Sequence, residues 1–255
     1  MPRLGKRKRR EREVKPQKLC VYCFQRPAVK MDHVVGKVFF DELPQQMIIV
    51  PSCHECDSGT GDGGERDLHL DEEYMRNVLC MRHDTASLNP IAKRLSQSQV
   101  IRSFDKSPLL ARSVFSTWEP LHIWSPVYSL PTDRYLFTVR HVRTDRVIRK
   151  ITRGLYYHRE RQPLPADSVI NVIGNLTEEQ VDMFLPMFVE PYWFGMEQHV
   201  FAFKQAHFPD RRDHVLTLMV LYQSFAAVSV TMSPQDAERW SQNRDEQQAA
   251  DDGSL

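Results

Sequence analysis

The sequence predicts an α+β fold, in which a small first domain is followed by a larger domain of mixed helices and strands. Segments with helical periodicity and segments rich in β-branched residues follow one another without regular alternation, which is typical of this class. Hydrophobic residues make up 41% of the 255 residues and charged residues 26%, as in ordinary globular proteins. No apolar run approaches 18 residues and no secretory signal follows the start, so we expect no membrane partner.

Composition and periodicity divide the chain into five segments. We predict a disordered basic arm over 1–18, a small domain over 19–84, a helical connector over 85–118, an α+β carboxyl-terminal domain over 119–234 and an acidic frayed tail over 235–255.

Charge is strongly segregated along the chain although the net charge is only +1. Residues 1–40 carry 12 Lys and Arg against 3 Asp and Glu, whereas residues 166–255 carry 5 against 14. Such blocks indicate a polyanionic partner more strongly than the mean charge does. The densest basic run could bind a phosphate backbone, or it could be a solvated tail or a localisation signal. It contains Lys6, Arg7, Lys8, Arg9 and Arg10.

Four of the five cysteines form two Cys-x-x-Cys pairs, Cys20 with Cys23 and Cys53 with Cys56. Two such turns supply the four thiolates of a tetrahedral zinc site, and four cysteine ligands leave no open position for water, so the zinc would be structural. Disulfide bonds are the alternative, but they would leave Cys80 unpaired. A reducing, cytoplasmic location is therefore favoured.

The segment between the two pairs predicts a β-hairpin. Residues 29–35 and 47–50 are apolar and β-branched, as in short strands, and residues 51–56 form a turn that could open a helix. Two cysteine turns, a hairpin and a helix make a unit of about 40–60 residues, which is too small to be stable without its metal.

The rest of the chain alternates irregularly between predicted helices and strands. Helices are predicted over 71–82, 88–104, 109–118, from a cap at Thr144 or Asp145 through 155, and from the capping box at Thr177 to about 188. The first of these helices is predicted to face inward with Tyr74, Met75, Val78 and Leu79. Strands are predicted over 135–142, 169–173, 199–208 and 214–232, the last run as one strand or two. The proline-rich stretch 119–134 is expected to form a crossing segment.

The predicted helix near residue 150 has two different faces. Its apolar face carries Val147, Ile148, Ile151 and Leu155. Its other face carries four basic residues, which could lie along a nucleic-acid backbone or simply be solvated. These are Arg146, Arg149, Lys150 and Arg153.

Three stretches of the sequence resemble the HNH endonucleases with a zinc-bearing ββα-metal fold. Bacterial members read C-x-x-C, then D-H-V-P-P-K-S-L-F, then N-L-I-T-V-P-S-C-x-x-C-N. The corresponding stretches here are 20–23, 32–40 and 46–57, and the segments 71–74 and 153–158 are also similar to that group.

The resemblance implies a metal-dependent endonuclease acting on double-stranded DNA. His33 would be the general base, and Asp32 and Asp57 would hold a catalytic Mg²⁺ or Mn²⁺. Gln46 takes the position of the family's Asn, which orients the loop that carries the base, and Lys37 could contact a phosphate.

Two other functions remain open. The chain could be a catalytically silent, zinc-containing nucleic-acid-binding module, since Gln46 and Asp57 differ from the family's residues. It could also be an interaction scaffold whose acidic carboxyl-terminal region meets a protein partner, or a homodimer.

Overall fold

A computed structural model describes residues 18–58, 68–116, 118–124, 129–137, 139, 141–197, 199–208 and 211–242. Helices and strands follow one another irregularly, which confirms the predicted α+β class. Residues 1–17 of the predicted basic arm, with Lys6, Arg7, Lys8, Arg9 and Arg10, lie outside the described residues, as does most of the acidic tail.

The first unit is a hairpin followed by a short helix. Strand β1 (Lys30–His33) pairs antiparallel with β2 (Ile49–Ser52), and α1 (His54–Ser58) begins two residues later. In the register of this hairpin Asp32 lies opposite Val50 and His33 lies opposite Ile49. The two strands and the helix expected from the sequence are therefore confirmed.

A helical layer follows. It consists of α2 (Leu68–Met81), α3 (His83–Leu88), α4 (Pro90–Leu95), a π-helical turn (Ser96–Val100), α5 (Ile101–Lys106) and α6 (Pro108–Phe115). The Asn89 side chain accepts hydrogen bonds from the backbone N–H groups of Ile91 and Ala92, and so caps α4. The four residues predicted to face inward on α2 are all buried; they are Tyr74, Met75, Val78 and Leu79.

The prediction of a crossing segment over 119–134 is wrong, because the described residues of this stretch belong to two strands that pair antiparallel. Strand β3 (Trp118–Trp124) pairs with β4 (Ser129–Phe137), with a register shift between Pro120 and His122. A two-stranded ribbon has only edge strands, and an edge strand tolerates proline because half of its N–H groups face away from the partner. The prolines that suggested a crossing segment are thus compatible with strands.

The longest helix, α7 (His141–Glu160), connects the hairpin unit to the rest of the molecule. It begins at His141, before the predicted cap at Thr144 or Asp145, so the strand predicted over 135–142 ends early, at Phe137. The predicted apolar face is confirmed, since its four residues are at most 1% exposed. This helix contacts α2, β2, β5 (Val169–Gly174) and β9 (Phe225–Met232).

The carboxyl-terminal part is built on a five-stranded antiparallel sheet. Its spatial order is β5-β9-β8-β7-β6, so the short strand β6 lies at one edge. The strands are β5 (Val169–Gly174), β6 (Phe194–Met196), β7 (Phe201–Phe208), β8 (Arg211–Leu221) and β9 (Phe225–Met232). The run predicted over 214–232 is therefore two strands.

Two helices accompany this sheet. Helix α8 (Glu178–Phe184) begins with the predicted capping box, in which Thr177 and Gln180 exchange both side chain-to-backbone bonds. It ends before the predicted limit near 188, where a 3₁₀ turn (Leu185–Met187) replaces it. Helix α9 covers residues 234–242.

One hydrophobic core joins the two halves of the chain. Its largest cluster runs from Cys20 and Val34 through Ile148 to Phe201 and Tyr222. The Tyr222 hydroxyl also donates a 2.7 Å hydrogen bond to the backbone carbonyl oxygen of Phe39. Whether the five predicted segments are separate folding units stays a prediction, but the described parts of the small and large domains share this core.

Gly154 allows α7 to approach the residue that follows β1. A Cβ atom at this position would lie 2.5 Å from Cγ2 of Val34. We expect Gly154→Ala to lower the free energy of unfolding by about 1–3 kcal/mol, the usual cost of overpacking. Urea denaturation at a fixed zinc concentration measures it. The double variant Gly154→Ala with Val34→Ala should lose less unfolding free energy than the two single variants lose together, because the shorter side chain makes room for the new methyl group. Losses that simply add would show that the close approach is absent.

Candidate metal centre and adjoining charged cluster

The four paired cysteines meet at one end of the hairpin. Cys20 and Cys23 lie in the turn before β1, Cys53 follows β2, and Cys56 lies in α1. Each pair has a backbone N–H that donates to a sulfur: Tyr22 to Cys20 Sγ and Cys56 to Cys53 Sγ, both at 3.4 Å. The backbone N–H of Val21 also donates to the Pro51 carbonyl oxygen at 3.0 Å, so the first cysteine turn is bonded directly to β2, the strand that leads to the second pair.

The sulfur atoms have the spacing of a tetrahedral metal site. All four Sγ atoms lie within 4.8 Å of one another, and those of Cys23 and Cys53 are 3.9 Å apart. A zinc–sulfur bond of about 2.3 Å implies sulfur atoms about 3.8 Å apart around one tetrahedral ion. All five cysteines are free thiols, so the disulfide alternative is wrong. The cluster could hold a metal such as zinc.

The cluster stabilises negative charge on sulfur. A hydrogen bond from the Cys56 thiol lowers the pKa of Cys20 to about 4, although burial opposes this shift. The same bond and burial raise the pKa of Cys56. One thiolate is therefore favoured among four crowded sulfurs even without an ion, and a thiolate is the form that binds zinc. Cys80 is buried in α2, outside the cluster, where burial raises its pKa to about 12.

His33 and Asp32 lie on opposite faces of the hairpin. Successive side chains of a strand alternate between faces, and Asp32 is buried whereas Met31 on one side of it is 51% exposed. His33 is half-buried, and Ile49 across the hairpin from it is 46% exposed. The imidazole therefore belongs to the outer face, and the carboxylate of Asp32 belongs to the inner face.

The inner face is occupied by a cluster that we call the Lys150 cluster: Tyr22, Asp32, Glu72 and Lys150. The ammonium Nζ of Lys150 lies 2.9 Å from Asp32 Oδ2 and 2.7 Å from Glu72 Oε1. The Tyr22 hydroxyl donates a 3.0 Å hydrogen bond to the same Asp32 oxygen. The side chains of Lys150 and Glu72 are each 5% exposed, so these charges are almost completely removed from water.

Glycine makes room for this cluster, since a Cβ atom at Gly36 would overlap the Glu72 carboxylate. Burial lowers the pKa of Lys150, but the Glu72 and Asp32 carboxylates outweigh it, so that this pKa stands above its usual value. Burial raises the pKa of Glu72, although Lys150 offsets part of this effect. Lys150 is therefore a cation at neutral pH, held in the protein interior by two acids.

Two sequence-based assignments need correction. Lys150 does not belong to an exposed basic stripe, because it is buried and paired with Asp32 and Glu72. Asp32 also does not fit its predicted role as an ion ligand in this arrangement, because the ammonium of Lys150 already neutralises its charge and, with the Tyr22 hydroxyl, contacts its Oδ2 atom. A divalent ion there would have to displace a cation held by two ion pairs.

The remaining basic side chains that the structure describes differ in availability. Arg146 pairs with buried Asp71 at 2.7 Å, beside Arg143 at 2.6 Å. The guanidinium of Arg153 lies 5.5 Å from the centre of the Phe24 ring. Only Arg149 and Lys37, among the predicted contacts that are described, lie on exposed positions.

The other two predicted catalytic residues lie on different elements. Gln46 is exposed in the loop before β2 and lines a cavity with residues of α7 and β6. Asp57 lies within α1, immediately after Cys56. The roles assigned to Gln46, Asp57 and His33 stay predictions.

Sequence reasoning did not find the partners of Asp32, although the signal was present. Glu72 is three residues before Met75 and seven before Leu79, so a helix places it on the predicted inward face. Lys150 is three residues after Val147 and four before Gly154, which is again an inward position. A charged residue at an inward helical position requires a buried partner, and each of these two supplies one for the other.

No family model, curated protein or solved structure matches this chain. Its function must therefore be argued from its own residues. Within the described part of the chain, none of the helices has the length and apolar content that crossing a bilayer requires.

The cysteine cluster should bind one zinc ion per chain. We expect Cys53→Ser to lose this zinc and to unfold at a lower temperature, because a unit of this size depends on its metal. Elemental analysis and thermal denaturation measure the two effects. Cys80→Ala is the matched control, since it removes a buried cysteine outside the cluster and should keep its zinc. Zinc retained by Cys53→Ser would contradict the assignment.

Removing the Lys150 ammonium should leave the buried carboxylates of Asp32 and Glu72 without their cation. We expect Lys150→Met to cost about 3–5 kcal/mol of unfolding free energy near neutral pH, the usual cost of breaking a buried ion pair. The neighbouring exposed substitution Arg149→Met should change stability by less than about 0.5 kcal/mol. Urea denaturation of both variants makes the comparison.

The loss of stability in Lys150→Met should depend on pH in a definite direction. Burial raises the pKa of Glu72, so folding favours its protonated form, and stability falls as pH rises through that raised pKa. In the wild type Lys150 offsets this loss. The deficit of Lys150→Met should thus be smaller in mild acid than at neutral pH, and a deficit that grows on acidification would contradict the cluster.

Proposed function

We propose that this protein is a zinc-stabilised nuclease of the HNH type that hydrolyses phosphodiester bonds in DNA. The observation that carries the proposal is the position of His33. It stands on the outer face of a β-β-α unit whose two ends are joined by the four-cysteine cluster. This order of elements fits the ββα-metal arrangement that the sequence resemblance implies.

The chemistry assigned to His33 is proton transfer. Hydrolysis of a phosphodiester requires a water molecule that loses a proton as it attacks phosphorus. A neutral imidazole can accept this proton near physiological pH, because the unperturbed pKa of histidine lies close to neutrality. The Lys150 cluster supports this role indirectly: it fixes β1 against α2 and α7, so the backbone that carries His33 has little freedom to move.

The proposal also includes a divalent ion, for which the predicted ligands are Asp32 and Asp57. When bound, Mg²⁺ or Mn²⁺ would stabilise charge on the phosphoryl and leaving oxygens. Asp32 does not fit this ion while Lys150 holds its carboxylate. We therefore assign no step to an ion at Asp32, and Asp57 is the carboxylate that the resemblance leaves for it.

Substrate would be held by exposed cations. Arg149 on α7 and Lys37 after β1 are available to phosphates. The basic arm would add a larger, sequence-independent contribution, since counterions are released when its side chains meet a duplex. The proposal thus comprises a structural zinc ion, double-stranded DNA as the partner and His33 as the general base.

The Lys150 cluster also favours a second candidate, a zinc-containing module that binds nucleic acid without cleaving it. An ammonium at Asp32 supplies the positive charge that a catalytic ion would otherwise bring, but it cannot coordinate water. If Asp57 alone does not hold an ion, the outer face with His33 would serve binding only.

Nicking of supercoiled plasmid distinguishes the two candidates. With Mg²⁺ or Mn²⁺ present, we expect the purified protein to nick the plasmid and His33→Ala to lose at least about a hundredfold in rate, as for removal of a general base. The matched control is His54→Ala, which alters an exposed histidine of the same unit and should retain activity. Zinc content must be unchanged in both variants. Equal nicking by His33→Ala and wild type would remove His33 from the chemistry.

The salt dependence of binding tests the basic arm. The logarithm of affinity for a duplex should fall with the logarithm of salt concentration by about 0.9 per phosphate neutralised. Deleting residues 1–18 should flatten this slope by several units, because nine Lys and Arg are removed with only two Glu. An unchanged slope would show that the arm does not contact the duplex. Binding without nicking would support the silent module.

A further inference from the structure

A cavity of about 510 Å³ lies beside the start of β2, between the end of α7, the edge strand β6 and the loop before β2. Ile48 of that loop lines the cavity, and its carbonyl oxygen accepts a 3.0 Å hydrogen bond from Val34, the residue after His33. His33 itself pairs with Ile49. Opposed residues of an antiparallel pair have Cα atoms about 4.5–5.5 Å apart, so the cavity adjoins the backbone that carries the proposed base.

Aromatic rings form one wall of this cavity. Phe194 of β6 and Phe203 of β7 both line it, with ring centroids 5.9 Å apart and planes inclined by 35°. Phe194 is 49% exposed although it is a large apolar residue at the edge of a sheet. An exposed ring face beside a second ring suits the stacking of a flat heteroaromatic group.

The polar lining is mixed in charge. Arg159 is cationic and Glu190 is anionic, and burial lowers the pKa of His158, the third titratable lining residue, which favours its neutral form. The cavity therefore has no excess of positive charge with which to hold a phosphate. Glu160 adds a further acid close by, 3.8 Å from Arg159 and 3.4 Å from His207. Gln46, an exposed residue of the cavity lining, carries an amide that can both donate and accept hydrogen bonds. Such groups match the edge of an uncharged nucleobase better than they match a phosphate.

We infer that this cavity binds one unpaired nucleobase of the nucleic-acid strand whose backbone lies against His33. The inference rests on the proposed function, since it names the part of the substrate that is recognised beside the proposed base. Phe194 would stack on the base and Gln46 would contact its edge. Gln46 would then act in recognition and would not orient a loop, which explains why it lies in the cavity lining.

The test compares two fluorescein-labelled single strands of eight nucleotides, one with bases and one fully abasic. Both carry the same backbone charge, so the basic arm and surface cations bind them equally. Fluorescence anisotropy at fixed salt should show the base-bearing strand binding at least about fivefold tighter, because stacking of one base is worth about 1–3 kcal/mol. Phe194→Ala should abolish most of this preference.

Tyr192→Ala is the matched control, because it removes a 74% exposed aromatic two residues away that does not line the cavity. It should leave the preference unchanged. Circular dichroism and zinc content show whether Phe194→Ala folds. If it does not, Gln46→Leu on the exposed loop should reduce the preference at least about twofold, as expected for one lost hydrogen bond.

The outcomes separate this inference from the nuclease proposal. Equal binding of both strands by the wild type, or a preference fully retained in Phe194→Ala, overturns the inference even if plasmid is nicked. A preference that is lost in Phe194→Ala and kept in Tyr192→Ala supports it even if no plasmid is nicked, in which case the nuclease proposal alone fails.

Discussion

The ammonium of Lys150, enclosed by the carboxylates of Asp32 and Glu72, is the interaction on which the arrangement of the candidate site depends. Taking each charge out of water costs several kcal/mol, and only close pairing with further hydrogen bonds offsets that cost. The observed distances of 2.7 and 2.9 Å and the hydroxyl of Tyr22 meet this requirement. The cluster joins a cysteine turn, β1, α2 and α7, segments that are far apart in the sequence.

The ion pairs of Lys150 distinguish the two metal sites that the sequence predicts close together, the four cysteines and the carboxylate of Asp32. The four cysteines form a soft sulfur site, suited to an ion that holds the fold together. Asp32 is a hard oxygen ligand on β1, but its carboxylate is already paired with the ammonium of Lys150. The imidazole of His33 lies on the outer face of the hairpin, so any reaction at this unit is expected to involve that face.

Local patterns predicted much of this fold. The spacing of the cysteines, the apolar face of α7 and the capping box at Thr177 each depend on neighbours within a few residues, and each is found as expected. The hairpin of β3 and β4 was missed because its prolines read as breaks, whereas a two-stranded ribbon accommodates them.

The site was predicted less completely, for a related reason. The pairing of Asp32 with Lys150 joins residues 118 positions apart, and an isolated lysine on a helix is most often solvated. The inward position of Lys150 on its helix indicates a buried ion pair only when Glu72 is also placed on an inward helical position. The cavity is also a product of tertiary structure, because Gln46, Arg159 and Phe194 come from three distant segments.

The most direct measurement of the central claim is the NMR signal of the Lys150 side-chain ammonium, assigned through its loss in Lys150→Met. A buried ammonium held by two carboxylates exchanges slowly with water, so its protons should be visible at neutral pH, and the signal should stay unmoved as Mg²⁺ is added. An ammonium that exchanges as fast as those of exposed lysines, or one displaced by Mg²⁺, would show that Asp32 is free to bind an ion and would contradict this account.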